Sequence, residues 1–243
     1  MILLIPVSGE LYKSIMKTQL VFICFSISIL FCQSANFRYH IYDDSEIYNS
    51  AVNISRSSSL WLSDQLSIGK NDSQRLIVKF GYSIYPKEIN NMTWRFPDFI
   101  LGIRASNNLL LSGRFYGFHL DKDAPQIIGS GLQYVFGQND LWMVSFQKTA
   151  INGLNDFRLV SSTFNIERCF EKINFDIFLG IGSNTYINQS YFSSLNLPDK
   201  IDGNIKYISS KILFPYKKLN LGFASKLSSD LLLFQIFVTK GFL

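Results

Sequence analysis

His119 is the side chain in this sequence best placed to do chemistry. It lies in FHLDKD beside Asp121 and Asp123. An imidazole near carboxylates is the base of an acyl-transfer site when a hydroxyl nucleophile stands within hydrogen-bond reach and a third group orients the ring. Ser112 and Ser130 are the nearest serines along the chain, and neither sits in a recognisable nucleophile motif. A solvated histidine at a strand end accounts for His119 without any reaction, so no catalytic residue is assigned. The other histidine, His40, lies in a polar N-terminal stretch. A metal needs three or four ligands at suitable spacing, and no CxxC, HxxxH or carboxylate cluster supplies them, so neither metal nor cofactor is expected. No basic cluster points to nucleic acid.

A second polar set shows its importance through position. In Lys172–Ile181, KINFDIFLGI, the apolar Ile173, Phe175, Ile177, Leu179 and Ile181 fall at alternate positions, while Lys172, Asn174, Asp176 and Gly180 fall between them, with Phe178 the exception. Successive strand side chains point to opposite faces, so this period of two predicts a strand with one apolar and one polar face. The same alternation recurs along the chain and collects Arg75, Lys79, Arg104, Arg114, Lys172, Asp176 and Lys226 on the polar side. If the apolar faces meet lipid, these residues point into a lumen in which bases outnumber acids. Such a lumen favours anions if water passes through it. In a narrow barrel it can instead form a packed polar core, with Arg and Lys paired to Asp98, Asp176 and backbone carbonyls.

Stepping along from Gln74, about ten strand segments are predicted, at 74–84, 98–106, 109–120, 126–136, 140–150, 156–166, 171–182, 203–214, 218–228 and 231–242. Each has about ten residues, the length with which a tilted strand crosses a bilayer. Longer connections (Tyr85–Pro97, Asp121–Pro125, Ile151–Asn155, Ser183–Gly203) alternate with short ones (Asn107-Asn108, Gly137–Asn139, Glu167–Phe170, Pro215–Lys217). Trp94, Trp142, Tyr134, Phe136, Tyr216 and Phe242 lie near strand ends, as an interfacial aromatic girdle requires. The predicted fold is all-β, an antiparallel up-and-down transmembrane barrel of about ten strands, with eight to twelve admitted.

Composition agrees with this reading. The 243 residues are 47% hydrophobic and 17% charged, against about 25% charged in an ordinary domain, and the mean hydropathy is +0.14. Residues 16 to 35 have the charged start (Lys17), apolar centre (Leu20–Phe31) and Cys32-Gln33-Ser34 cleavage site of a secretory signal, with Met16 a better initiator than Met1. Cleavage after Ser34 removes Cys24 and Cys32 and leaves Cys169 without an internal partner. An exported chain of this size without a disulfide framework fits a Gram-negative envelope. Residues 35–73 are polar and serine-rich, with Leu60, Trp61 and Leu62 as an isolated apolar knot, and read as a flexible lead, a cap or a plug; residues 74–243 form the barrel.

The signal, the paired strands, the short and long connections and the amphipathic C-terminal strand Leu231–Leu243, with alternating Phe234, Ile236, Val238 and Phe242, resemble a bacterial outer-membrane β-barrel protein. That resemblance implies a cell outer-membrane location, contact with outer-membrane lipid, and recognition of the C-terminal strand by the barrel-assembly machinery. It implies a non-enzymatic structural barrel or narrow porin-like channel. Two alternatives stand beside it: a soluble exported calycin-like barrel holding an apolar ligand, and an outer-leaflet lipid-modifying barrel enzyme using His119.

Overall fold

Ten antiparallel strands close on themselves in chain order: β1 (Leu76–Ile84), β2 (Arg95–Arg104), β3 (Leu109–Gly117), β4 (Gln126–Phe136), β5 (Trp142–Asn152), β6 (Phe157–Glu171), β7 (Asp176–Ser190), β8 (Lys200–Tyr216), β9 (Leu219–Leu227) and β10 (Leu232–Phe242). Closure comes from β1 pairing with β10, in register from Leu76↔Phe242 to Ile84↔Phe234. A computed structural model describes residues 34–39, 46–66, 74–120, 123–137, 142–191, 196–217 and 219–242. The expected signal up to Gln33, His40 and Asp121 lie outside the described residues.

Side-chain polarity is inverted relative to a water-soluble barrel. Phe115, Leu179, Ile181, Ile208, Phe223, Leu227, Phe234 and Ile236 are exposed on the outer wall, whereas Lys79, Asp98, Arg114, Gln147, Glu167, Asn184, Lys211, Lys226 and Gln235 are buried inside. Outward aromatics Tyr134, Phe136, Trp142, Tyr216 and Phe242 cluster at the end of the short turns. Trp94 departs from the girdle expectation. It is buried against Phe37 and Phe96, because the chain before β2 folds inward over the barrel mouth.

The register differs from the sequence reading where the alternation was clearest. β6 runs on through Glu167–Phe170, the segment expected to turn, and the turn is instead Lys172–Phe175, closed by the Lys172 N–H on the Phe175 carbonyl at 3.0 Å. Ile173 is 101% exposed at its tip. Ile173 and Phe175 of the turn are already in phase with Ile177, Leu179 and Ile181 of β7, so the alternation did not mark where that strand begins. β7 and β8 likewise extend to Ser190 and from Lys200, shortening the expected Ser183–Gly203 loop to a tall hairpin.

The serine-rich segment, read as a flexible lead, a cap or a plug, forms a helix, α1 (Ile47–Leu62), within the lumen, as the plug alternative has it. Phe37, Tyr39, Ile47, Ala51, Ile54, Leu60, Trp61 and Leu62 join Tyr85, Trp94, Phe96, Phe157, Leu159, Tyr186, Ile205 and Tyr207 in one buried cluster. Trp61 stacks on Phe96 with ring centroids 4.2 Å apart. Every residue from Ser57 to Leu66 is buried. Small side chains let a helix fit inside ten strands, and Ser55 donates to the Ala51 carbonyl at 2.6 Å, so its hydroxyl is satisfied within the helix. Gly182 and Gly222 serve the same fit from the wall, since a Cβ on either would enter the Tyr207 or Phe237 ring lying across it.

Candidate functional site: a charged layer around Asp64

Below the helix the chain continues as Ser63-Asp64-Gln65-Leu66 through the middle of the barrel, and the polar faces of the strands converge on it. Lys79 from β1 places Nζ 2.6 Å from Asp64 Oδ2 and donates to the Gln65 carbonyl at 3.1 Å. Gln235 from β10 donates to Asp64 Oδ2 at 3.0 Å and accepts from Lys79 at 2.9 Å. Arg114 from β3 stands 3.9 Å from Asp64 and 3.6 Å from Asp98 on β2. Tyr116 donates to Asp98 at 3.1 Å, and Lys226 from β9 donates to Ser63 Oγ at 2.8 Å. Three cations thus surround two carboxylates where water is excluded, and only charge pairing with hydrogen bonds makes that tolerable.

The wall also binds the main chain of this segment. Arg114 donates to the Leu62 carbonyl at 3.0 Å and to the Asp64 carbonyl, Gln147 to Leu62 at 2.6 Å, and Gln133 to Leu66 at 2.7 Å. Higher up, Tyr85 donates to Ser57 at 2.6 Å and Asn184 to Ser59 at 3.3 Å. The last carbonyls of a helix have no partner within it. Here the N–H groups of Ser63 and Asp64 take those of Ser59, Leu60 and Trp61, and the wall takes that of Leu62.

Of the residues the sequence pointed to, Lys79, Arg114 and Lys226 meet at this layer. Arg104 is half-buried at the short-turn end of β2, and exposed Arg75 precedes β1, its carbonyl accepting the Arg104 N–H at 2.8 Å. Asp176 opens β7, half-buried, with the parity of the lumen-facing Phe178 and Asn184. Lys172 was expected in the lumen; it lies exposed in the β6–β7 turn, because the strand ends one residue before it. Asp64 went unnoticed in a stretch without periodicity. Glu167 and Lys211 were missed too, although each continues a polar alternation, Asn165-Glu167 on β6 and Ser209-Lys211 on β8. They pair at 2.8 Å in a second buried ionic group.

His119 is exposed in the β3–β4 connection. Ser130 is exposed on the outer wall, and Ser112 faces inward five strand residues below Gly117, about 16 Å at roughly 3.3 Å per residue. No described serine of the pair reaches the imidazole.

No protein-family model and no curated protein matches the sequence. Among solved structures, the translocator domain of the autotransporter NalP from Neisseria meningitidis is 8% identical, covering 84% of this chain and 100% of its own, with a TM-score of 0.41. The KdgM porin is 10% identical over 69% of this chain and 99% of its own, at 0.39. Ail of Yersinia pestis is 11% identical over 70% and 100%, at 0.36. By strand register and burial, this chain is a closed ten-stranded antiparallel barrel with an apolar outside and a filled inside, apolar around the helix and charged around Asp64, the architecture of bacterial outer-membrane β-barrel proteins.

Proposed function

We propose that this protein is a non-enzymatic structural barrel of the outer membrane, sealed by its own N-terminal segment and closed to solutes. The observation that carries this is the inversion of polarity around a filled lumen. Large apolar side chains cover the outer wall, where water would penalise them, and every residue from Ser57 to Leu66 is buried within the barrel. A calycin-like carrier needs the reverse, an apolar cavity inside and a polar wall outside. An outer-leaflet hydrolase needs His119 beside a nucleophile.

In this reading lipid meets the wall, and β10, with exposed Phe242 near its end, is the segment offered to the barrel-assembly machinery. The expected experiment is detergent extraction from the outer-membrane fraction with heat-modifiable migration, followed by reconstitution in liposomes. The full chain should give no solute permeability. A variant lacking residues 35–66 should admit small anions ahead of cations, since Lys79, Arg114, Lys211 and Lys226 then outnumber Asp98 and Glu167 on the bared wall. Recovery of the protein from the soluble periplasm, or an open channel in the full chain, would refute the proposal.

A further inference from the structure

The path of the chain through the barrel has a direction. Phe37 packs on Trp94 and Phe96 at the end where β2 begins. The backbone N–H of Tyr39 donates to Asp156 in the β5–β6 connection at 2.8 Å. Asn90 of the β1–β2 connection holds Ser50 at 2.9 Å, and Arg56 reaches Asp230 of the β9–β10 connection at 2.6 Å. All of these lie at the end of the long connections. Descending the helix, Ser55 meets Asn188, Ser59 meets Asn184, and Leu62 meets Arg114 and Gln147. Leu66 then packs among Ile77, Ile100 and Leu110 near the short turns, where β1 starts. The segment therefore enters at one mouth and leaves at the other, inside a wall closed by hydrogen bonds all the way round.

Short turns face the periplasm and long connections face outward in membrane barrels of this kind. We propose that the lumen carries the chain's N-terminal side across the membrane, so that the mature N-terminal end lies at the outer mouth of the barrel; this rests on the outer-membrane reading above. An exported chain begins in the periplasm, so its N-terminal side has to pass through the barrel or be enclosed as the wall closes around it. The chemistry of the lumen suits a passing chain. Tyr85, Asn184, Arg114, Gln147, Lys79 and Gln133 donate to main-chain carbonyls between Ser57 and Leu66. Such contacts hold a polypeptide with little regard to its side chains. Ser55, Ser63 and Asp64 are also held by their side chains, and Asp64, the charged one, fixes where the passage stops.

The test uses the full chain with a polar epitope inserted directly before Ala35, and three single-cysteine variants in a Cys169→Ser background: Tyr48→Cys at the exposed start of α1, Lys200→Cys on the β7–β8 hairpin, and Ser106→Cys in a short turn. Intact cells are treated with antibody, external protease and a membrane-impermeant maleimide. The expected result is antibody binding, loss of the epitope to protease, and labelling of Tyr48→Cys and Lys200→Cys, with Ser106→Cys labelled only after the outer membrane is permeabilised. Labelling of Lys200→Cys with Tyr48→Cys protected overturns the proposal and leaves the outer-membrane reading standing, and it does so even if the epitope blocks assembly. Labelling of Ser106→Cys on intact cells with Lys200→Cys protected overturns the orientation on which both depend.

Discussion

The lumen holds two buried ionic groups that look alike in composition and differ in what they join. Around Asp64, cations from β1 and β3 pair with a carboxylate carried by the internal segment, and Lys226 from β9 holds Ser63 beside it. Glu167 and Lys211 instead join wall to wall, from β6 to β8 across β7, with Ser209 donating to Glu167 at 3.2 Å. The first fixes the position of a separate element in the lumen. The second ties wall strands to one another and makes no ion pair with the internal segment. Buried ion pairs add little net stability compared with apolar pairs of similar shape, and they become costly when one partner is removed. The difference between the groups therefore lies in specificity.

The largest effect is expected at Asp64. Asp64→Ala leaves Lys79, Arg114 and Lys226 buried around an apolar methyl, which should cost about 3–5 kcal/mol. Urea titration of heat-modifiable migration should report that loss. Because Asp64 belongs to the internal segment, the same variant should also leak anions in liposomes. Unchanged stability and a silent liposome would make the group around Asp64 no different in kind from the Glu167 pair.

What the sequence showed of this site, and what it hid, follows from where each partner sits. Lys79, Arg114 and Lys226 stand out because they interrupt strands whose other face is apolar, so the period of two reveals them. All ten strands were legible in the same way. Asp64 lies in a stretch whose helix forms only with the wall around it, since Ser57, Ser58 and Ser59 are buried by their smallness and not by any apolar stripe. Counting apolar surface there does not choose among a lead, a cap and a plug, because it misses a lumen that makes serine a fitting residue. Glu167 was hidden because the alternation of β7 begins already inside the Lys172–Phe175 bend, at Ile173, which displaced the expected turn back onto Glu167.

A smaller effect is expected at Gly180, which lies between the two partners of the second group. A Cβ there would stand 2.5 Å from Glu167 Cγ, 2.8 Å from Ser209 Oγ and 2.7 Å from the Ile166 carbonyl. The last is backbone and cannot step aside. Gly180→Val should destabilise the barrel by about 1–3 kcal/mol through overpacking. Its liposomes should remain silent, since nothing at this position touches the internal segment through an ion pair. Leakage from Gly180→Val would show that the two groups are coupled.

The smallest effect is expected when the second group is replaced as a whole. Glu167→Leu alone strands Lys211 without its carboxylate in a buried site and should cost several kcal/mol, roughly as for any broken buried pair. Adding Lys211→Met restores a neutral, well-filled contact beside Phe178 and Leu213, already apolar and buried on the same stretch of wall. Exchange of a buried pair for apolar residues of similar volume is neutral or stabilising in many proteins, so the double variant should lie within about 1 kcal/mol of the parent or above it. The matching exchange at the first group, Asp64→Leu with Lys79→Met, should fail to recover stability. Arg114 and Lys226 remain there, facing a segment that no longer carries a charge to meet them. If both double variants recover alike in urea titrations, Asp64 is not shared among three cations but belongs to Lys79 alone.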